Sequence, residues 1–183
     1  TEPIAIAYCA AVSRAALGCL PDKVRIAVSG NIIKNVKSVI VPNTGNRKGL
    51  TAAAAIGILG GDEKAELEVI SRVRRETVDA LPAYIDATAF EIVPVERGFL
   101  LDIEIVCSRG TDSATARIVQ EHTNIILVEK NGTVLYQKDP EPELADADLE
   151  HLSLRGIYDF VQSCDITDVA PLLERQIADN TAI

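Results

Sequence analysis

Residues 99–137 read FLLDIEIVCSRGTDSATARIVQEHTNIILVEKNGTVLYQ, and the alternation in this stretch decides the fold class. Leu101, Ile103, Ile105 and Cys107 recur at every second position. A strand shows successive side chains to opposite faces, so this pattern predicts one face packed on a helix and one wetter face. Turn signals punctuate the run at Arg97-Gly98, Gly110 and Asn131-Gly132. The last is the strongest hairpin signal, because both residues tolerate positive φ and a two-residue primed turn fits the strand twist. Strands are expected over residues 89–95, 99–108, 113–120, 123–130 and 133–137, forming a β-meander.

Upstream the pattern is mixed. Residues 3–18 form an Ala-rich helical run that stops at Gly18, with Pro21 just beyond. Val24, Ile26 and Val28 then alternate with Lys23, Arg25 and Ala27, which predicts a half-buried strand over 23–29. A second, more deeply buried strand is expected over 38–41. A helix built on small side chains, including Ala52 to Ala55, is expected over 49–59 and is ended by Gly60 and Gly61. A longer helix over 62–81 carries Leu67, Val69, Ile70, Val73 and Val78 as its apolar positions, with Pro82 at its end.

Downstream, KDPEPELADADLE (138–150) is an acidic linker containing two prolines. Two helices follow over 153–162 and 165–179, with Ser153 as the N-cap of the first and Asp165 or Thr167 as that of the second. Apolar Leu172, Leu173 and Ile177 leave the second with a face in need of a partner surface. The fold class is therefore α+β. Its divisions are an opening helical and αβ part (1–61), an inserted antiparallel β-meander backed by a helix (62–137), the linker (138–150), and two closing helices (151–183).

Composition bounds the function. The chain has 183 residues, 48% of them hydrophobic, enough for a core. Twenty-seven acidic against 18 basic residues give a net charge of −9, which disfavours a nucleic-acid partner because no counterion release would drive binding. The apolar run from Ile4 to Leu17 contains Ser13 and Arg14 and is too short for a bilayer, so no membrane partner is expected. Cys9, Cys19, Cys107 and Cys164 are scattered without metal or redox spacing and read as reduced core thiols, in keeping with the cytoplasm.

The chemistry-bearing residues gather around NIIKNVKSVIVPNTG (31–45), which reads as a short buried strand with polar groups at both ends. Asn31, Lys34 and Asn35 offer donors at one end. At the other, Pro42, Asn43, Thr44 and Gly45 make a turn whose backbone N–H groups suit a small carboxylate or phosphate. Thr44 adds a hydroxyl, and Gly45 permits close backbone approach. His122, Thr123 and Asn124 open an apolar strand, where a lone His is more often structural than catalytic. His151, beside Glu150 in the acidic linker, has no motif around it. A Walker-type loop is absent, which sets a phosphate-binding enzyme well below other readings.

TEPIAIAYCAA at the start, NIIKN, VPNTG, AAAAIGILGGD followed by LEVI, and HTNIILVE resemble, in order and spacing, the L-cysteine desulfidase family, relatives of iron–sulfur L-serine dehydratases. The resemblance implies a lyase that converts L-cysteine to pyruvate, ammonia and sulfide, or L-serine to pyruvate, ammonia and water. In that family Gly-Cys precedes TEPI, and the Cys is implicated in catalysis. A 4Fe-4S cluster is held by cysteines in a further catalytic half. The resemblance thus implies that this chain is a part of such an enzyme, inactive alone, with its cluster ligands elsewhere and the catalytic half as a partner. It draws Thr1, Glu2, Asn31, Lys34, Asn35, Thr44, Gly45, His122, Thr123 and Asn124 into the binding site for a small amino acid. The family commonly has Gly where Asn43 stands, which leaves the conformation of this turn open. An alternative from another class is a small-molecule-binding or oligomerisation module whose open sheet edge pairs with a second copy.

Overall fold

A computed structural model describes residues 1–140 and 152–181, in two units divided after Pro140. The acidic linker and His151 fall mostly outside the described residues. The first unit contains helices α1 (Glu2–Leu17), α2 (Gly30–Val36), α3 (Gly49–Gly60) and α4 (Arg75–Ala87). Its strands are β1 (Lys23–Ser29), β2 (Ala89–Val95), β3 (Asp102–Arg109), β4 (Asp112–Val119), β5 (Ile125–Lys130) and β6 (Thr133–Gln137). The fold is α+β.

All six strands form one sheet in the order β2-β1-β3-β4-β5-β6. From β3 to β6 the pairing is antiparallel, as the alternation predicts, and Asn131 and Gly132 both adopt positive φ at the β5–β6 turn. The other half differs from expectation. β1 pairs in parallel with β2 and antiparallel with β3, so residues 1–61 and 62–137 share one sheet. Val24, Ile26 and Val28 carry the same core face as Ile103, Ile105 and Cys107, and this common face is what recruits β1 to the centre.

The helix backing that face is α1, not the segment 62–81. Cys9 Sγ donates to Ala116 O at 3.2 Å, Ser13 Oγ to Ala114 O at 2.9 Å, and Lys130 Nζ to Leu17 O at 3.0 Å. As α1 advances, β4 runs backwards, so the N-terminus of α1 points to the C-terminal end of β4. α3 lies beside α1 and parallel to it: Gly57 sits against the Ala7 main chain, and one helical turn further along both, Gly61 meets Ala11. Small side chains let the two backbones approach this closely.

Three local expectations need correction. The NIIKN stretch is the helix α2, because Ile32 and Val36, four residues apart, are both buried, which is helical spacing hidden inside an apolar run. The strand expected over 38–41 reduces to a single bridge, Ile40 to Lys48, with Val39 and Ile40 exposed. Residues 62–81 are not one helix: Glu66 has φ 47°, a 3-10 turn spans Glu66–Glu68, and α4 starts only at Arg75. Pro82 lies inside α4 instead of ending it. Tertiary contacts hold the helix through the lost hydrogen bond: Leu81 is fully buried, Tyr84 Oη donates to Pro21 O at 3.2 Å, and its ring meets Phe90 edge-on.

The second unit contains α5 (Leu154–Ser163) and α6 (Ile166–Thr181). Ser153 caps α5 by accepting from Gly156 N at 2.9 Å, and Asp165 accepts from Thr167 N at 2.9 Å ahead of α6. Leu172, Leu173 and Ile177 are exposed.

Candidate functional site

Two parallel helices begin at the same end of the first unit. Because α1 and α3 run side by side in one direction, their N-termini lie together, at the end of the sheet where β4 finishes and the turn 120–124 begins. β1 runs the same way as β4, so its last residue, Ser29, and the helix α2 that follows are at this end too. The polar stretches singled out in the sequence thus belong to one end of the fold. Neither α1 nor α3 has a side-chain cap, and the first-turn N–H groups of a helix have no intrahelical acceptor. Such an end favours an anion.

The turn leading into α3 is built from inside. Thr44 is only 1% exposed. Its hydroxyl donates to Val41 O at 2.7 Å and accepts from Arg47 N at 3.1 Å, so it holds the turn together from within. Asn43, Gly45 and Asn46 have φ of 56°, 68° and 66°. Among the described residues, the N–H groups of Gly45 and Asn46 have no protein acceptor. Arg47 and Lys48, exposed and immediately ahead of α3, add positive charge there. Sequence reading passed over both cations. Their position directly before a helix start was the available signal.

At the start of α1, Glu2 Oε1 accepts from Asn35 Nδ2 at 3.2 Å. The main-chain N–H of Glu2, above all, and Asn35 hold the carboxyl below its usual range against partial burial. The N-terminus of α1 therefore already has its anion. At α3 the Gly49 N–H donates to Val39 O at 3.2 Å, so an incoming carboxylate finds the later first-turn donors and the Gly45 and Asn46 amides of the turn. Asn31 and Lys34 are exposed on α2.

In the turn 120–124, Asn124 Nδ2 donates to Val119 O at 2.9 Å and closes the turn, while Thr123 is half-buried. His122 Nε2 is buried and has no hydrogen-bond partner among the described residues.

The four cysteines differ in their surroundings. Cys9 and Cys107 are buried on the core face, and Cys19 is exposed just beyond the end of α1. Cys164 belongs to the second unit. Burial pushes the Cys9 thiol well up and that of Cys107 up to about 11. Among the described residues no three His, Cys, Asp or Glu side chains are grouped to hold a metal ion, and no helix is long and apolar enough to cross a membrane.

The chain is similar to UPF0597 proteins. It is 38% identical over 186 residues to one from Treponema denticola, 41% over 189 residues to one from Finegoldia magna, and 37% over 186 residues to one from Fusobacterium nucleatum. Each match takes in 100% of this chain but only 43% or 44% of the relative, so the chain spans less than half the length of these UPF0597 proteins. No family model and no solved structure matches it.

Proposed function

We propose that the turn 42–48 and the N-terminus of α3 bind the α-carboxylate of a small amino acid, and that the chain is part of a lyase acting on L-cysteine or L-serine. The observation that carries the carboxylate reading is the uncapped start of α3 beside the acceptor-free N–H groups of Gly45 and Asn46. Arg47 and Lys48 supply attraction from outside, and Glu2 fills the neighbouring helix start, directing the anion to α3. The choice of an amino acid and of elimination chemistry rests on the motif resemblance to L-cysteine desulfidases. That chemistry needs a Lewis acid on the leaving group, and the described residues of this chain offer no ligand set for one.

Two charge-assisted hydrogen bonds and a helix end together contribute about 4 kcal/mol, which corresponds to a dissociation constant of about 1 mM. Titrating the labelled chain with L-serine while following the Gly45, Asn46 and Leu50 amides by NMR tests the proposal. Saturable shifts confined to these amides are expected, and they should weaken when the carboxylate is replaced by a carboxamide. Shifts that are absent, or indifferent to that replacement, would sink the carboxylate site.

A further inference from the structure

We propose that Asn43 is a positioning residue of this site: its side chain ties the turn 42–48 to the segment 62–74, and that tie fixes the direction of the Gly45 and Asn46 amides. The inference rests on the carboxylate reading of the turn. Three left-handed residues in four positions give a backbone that no repeating hydrogen-bond pattern supports, so anchors outside it have to hold its shape. Thr44 anchors it from within, between Val41 and Arg47. From the other side, Asn43 Nδ2 donates to Ile70 O at 2.8 Å.

The acceptor is itself fixed. Ile70 and its neighbour Val69 are buried in the core, and Val69 O accepts from Asp62 N at 2.9 Å. Beside this bond, a side chain on Gly45 would meet Val78 Cγ1 of α4 at 3.6 Å, so α4 lines the same flank of the turn. The segment between α3 and β2, which the sequence presents as one amphipathic helix, thus braces the binding turn through the Asn43–Ile70 bond.

Asn could occupy position 43 only because it tolerates positive φ, and the rival explanation is separable by experiment. Asn43→Gly keeps the conformational freedom and loses the tie. Asn43→Asp keeps the size and the tolerance of positive φ but cannot donate to a carbonyl. Both are made in the whole 183-residue chain with 15N labelling. Without ligand, the Gly45 and Asn46 amides should fall from rigid order parameters of about 0.85 to below about 0.6 in both variants, with the rest of the spectrum unchanged. With L-serine, affinity should fall about tenfold or more.

Order parameters that stay at the wild-type value in both variants would overturn the tie. A loosened turn that binds L-serine as well as wild type would overturn the positioning role while leaving the carboxylate reading intact. If the wild-type chain shows no saturable response, that reading fails instead, and the ligand-free order parameters alone decide whether Asn43 sets the turn.

Discussion

The two faces of the sheet are made from alternate residues of the same strands and are held by different physics. On the helix side, Ile103, Ile105, Cys107, Ala114, Ala116 and Ile118 meet α1, which packs in turn on α3 through a surface of mostly Ala and Gly. The polar groups there are few, with Cys9 and Ser13 donating to strand carbonyls. The opposite face carries an ion-pair chain. Arg117 grips fully buried Asp102 through two bonds of 3.0 and 2.7 Å, and Arg97 holds Glu104 through two more of 2.8 and 3.1 Å. Arg25 approaches Glu104 at 3.4 Å, and Phe99 lies against Arg117. One face depends on volume, the other on pairing. Errors of shape should therefore be felt on the first and errors of charge on the second.

The sharpest way to break the contrast is at Gly57. A Cβ there would collide with the Ala7 main chain, which has no rotamer to yield, so Gly57→Ala should cost about 3 kcal/mol, the upper end of ordinary overpacking. Urea unfolding measures it. A cost near zero would mean that the close approach of α1 and α3 does not set stability.

On the ionic face, Asp102→Asn leaves Arg117 without its counter-charge. Breaking a buried pair costs about 3 kcal/mol or more, but Arg117 is 19% exposed and keeps some water, so about 2 kcal/mol is expected. The double variant Asp102→Leu with Arg117→Leu should lose less than the single one, because no charge is left stranded. A double variant worse than Asp102→Asn would show that the ion pair itself, and not the avoidance of a lone charge, stabilises this face.

The smallest effect is a pH dependence on the helix face. Burial raises the Cys107 thiol from 9.0 to about 11, so between these values the unfolded chain has released a proton that the folded one keeps. Stability is then fully present below pH 9 and declines as pH rises toward 11, by about 1 kcal/mol at pH 10. Comparing denaturation at pH 8 and pH 10 in wild type and Cys107→Ala isolates the contribution. An equal decline in both would assign the loss to other groups.

Much of this architecture was legible in the sequence wherever the signal was local. The antiparallel half follows from period-2 alternation and from Asn131-Gly132, and the stop of α1 follows from Gly18, which takes φ 87°. Helix α2 was not legible, because a seven-residue helix offers only Ile32 and Val36 as a repeat inside a run that also reads as a strand. At the site, the polar stretches were visible, but their roles were not. Thr44 and Asn124 spend their hydrogen bonds on their own turns, while Asn43 reaches a carbonyl 27 residues away.

What the sequence by itself determined is the set of elements with strong short-range periodicity, the α+β class, and the polarity of the turns. Tertiary structure alone decided that β1 joins the same sheet as β2 and β3, that α1 and not the segment 62–81 covers it, and that α1 and α3 run parallel with their N-termini together. The physical reason is that periodicity reports which face of an element is apolar but not which partner covers it. Partner choice here turned on how closely backbones could approach, at Gly57 against Ala7 and at Ser13 over β4, and that information exists only when distant residues are brought into contact.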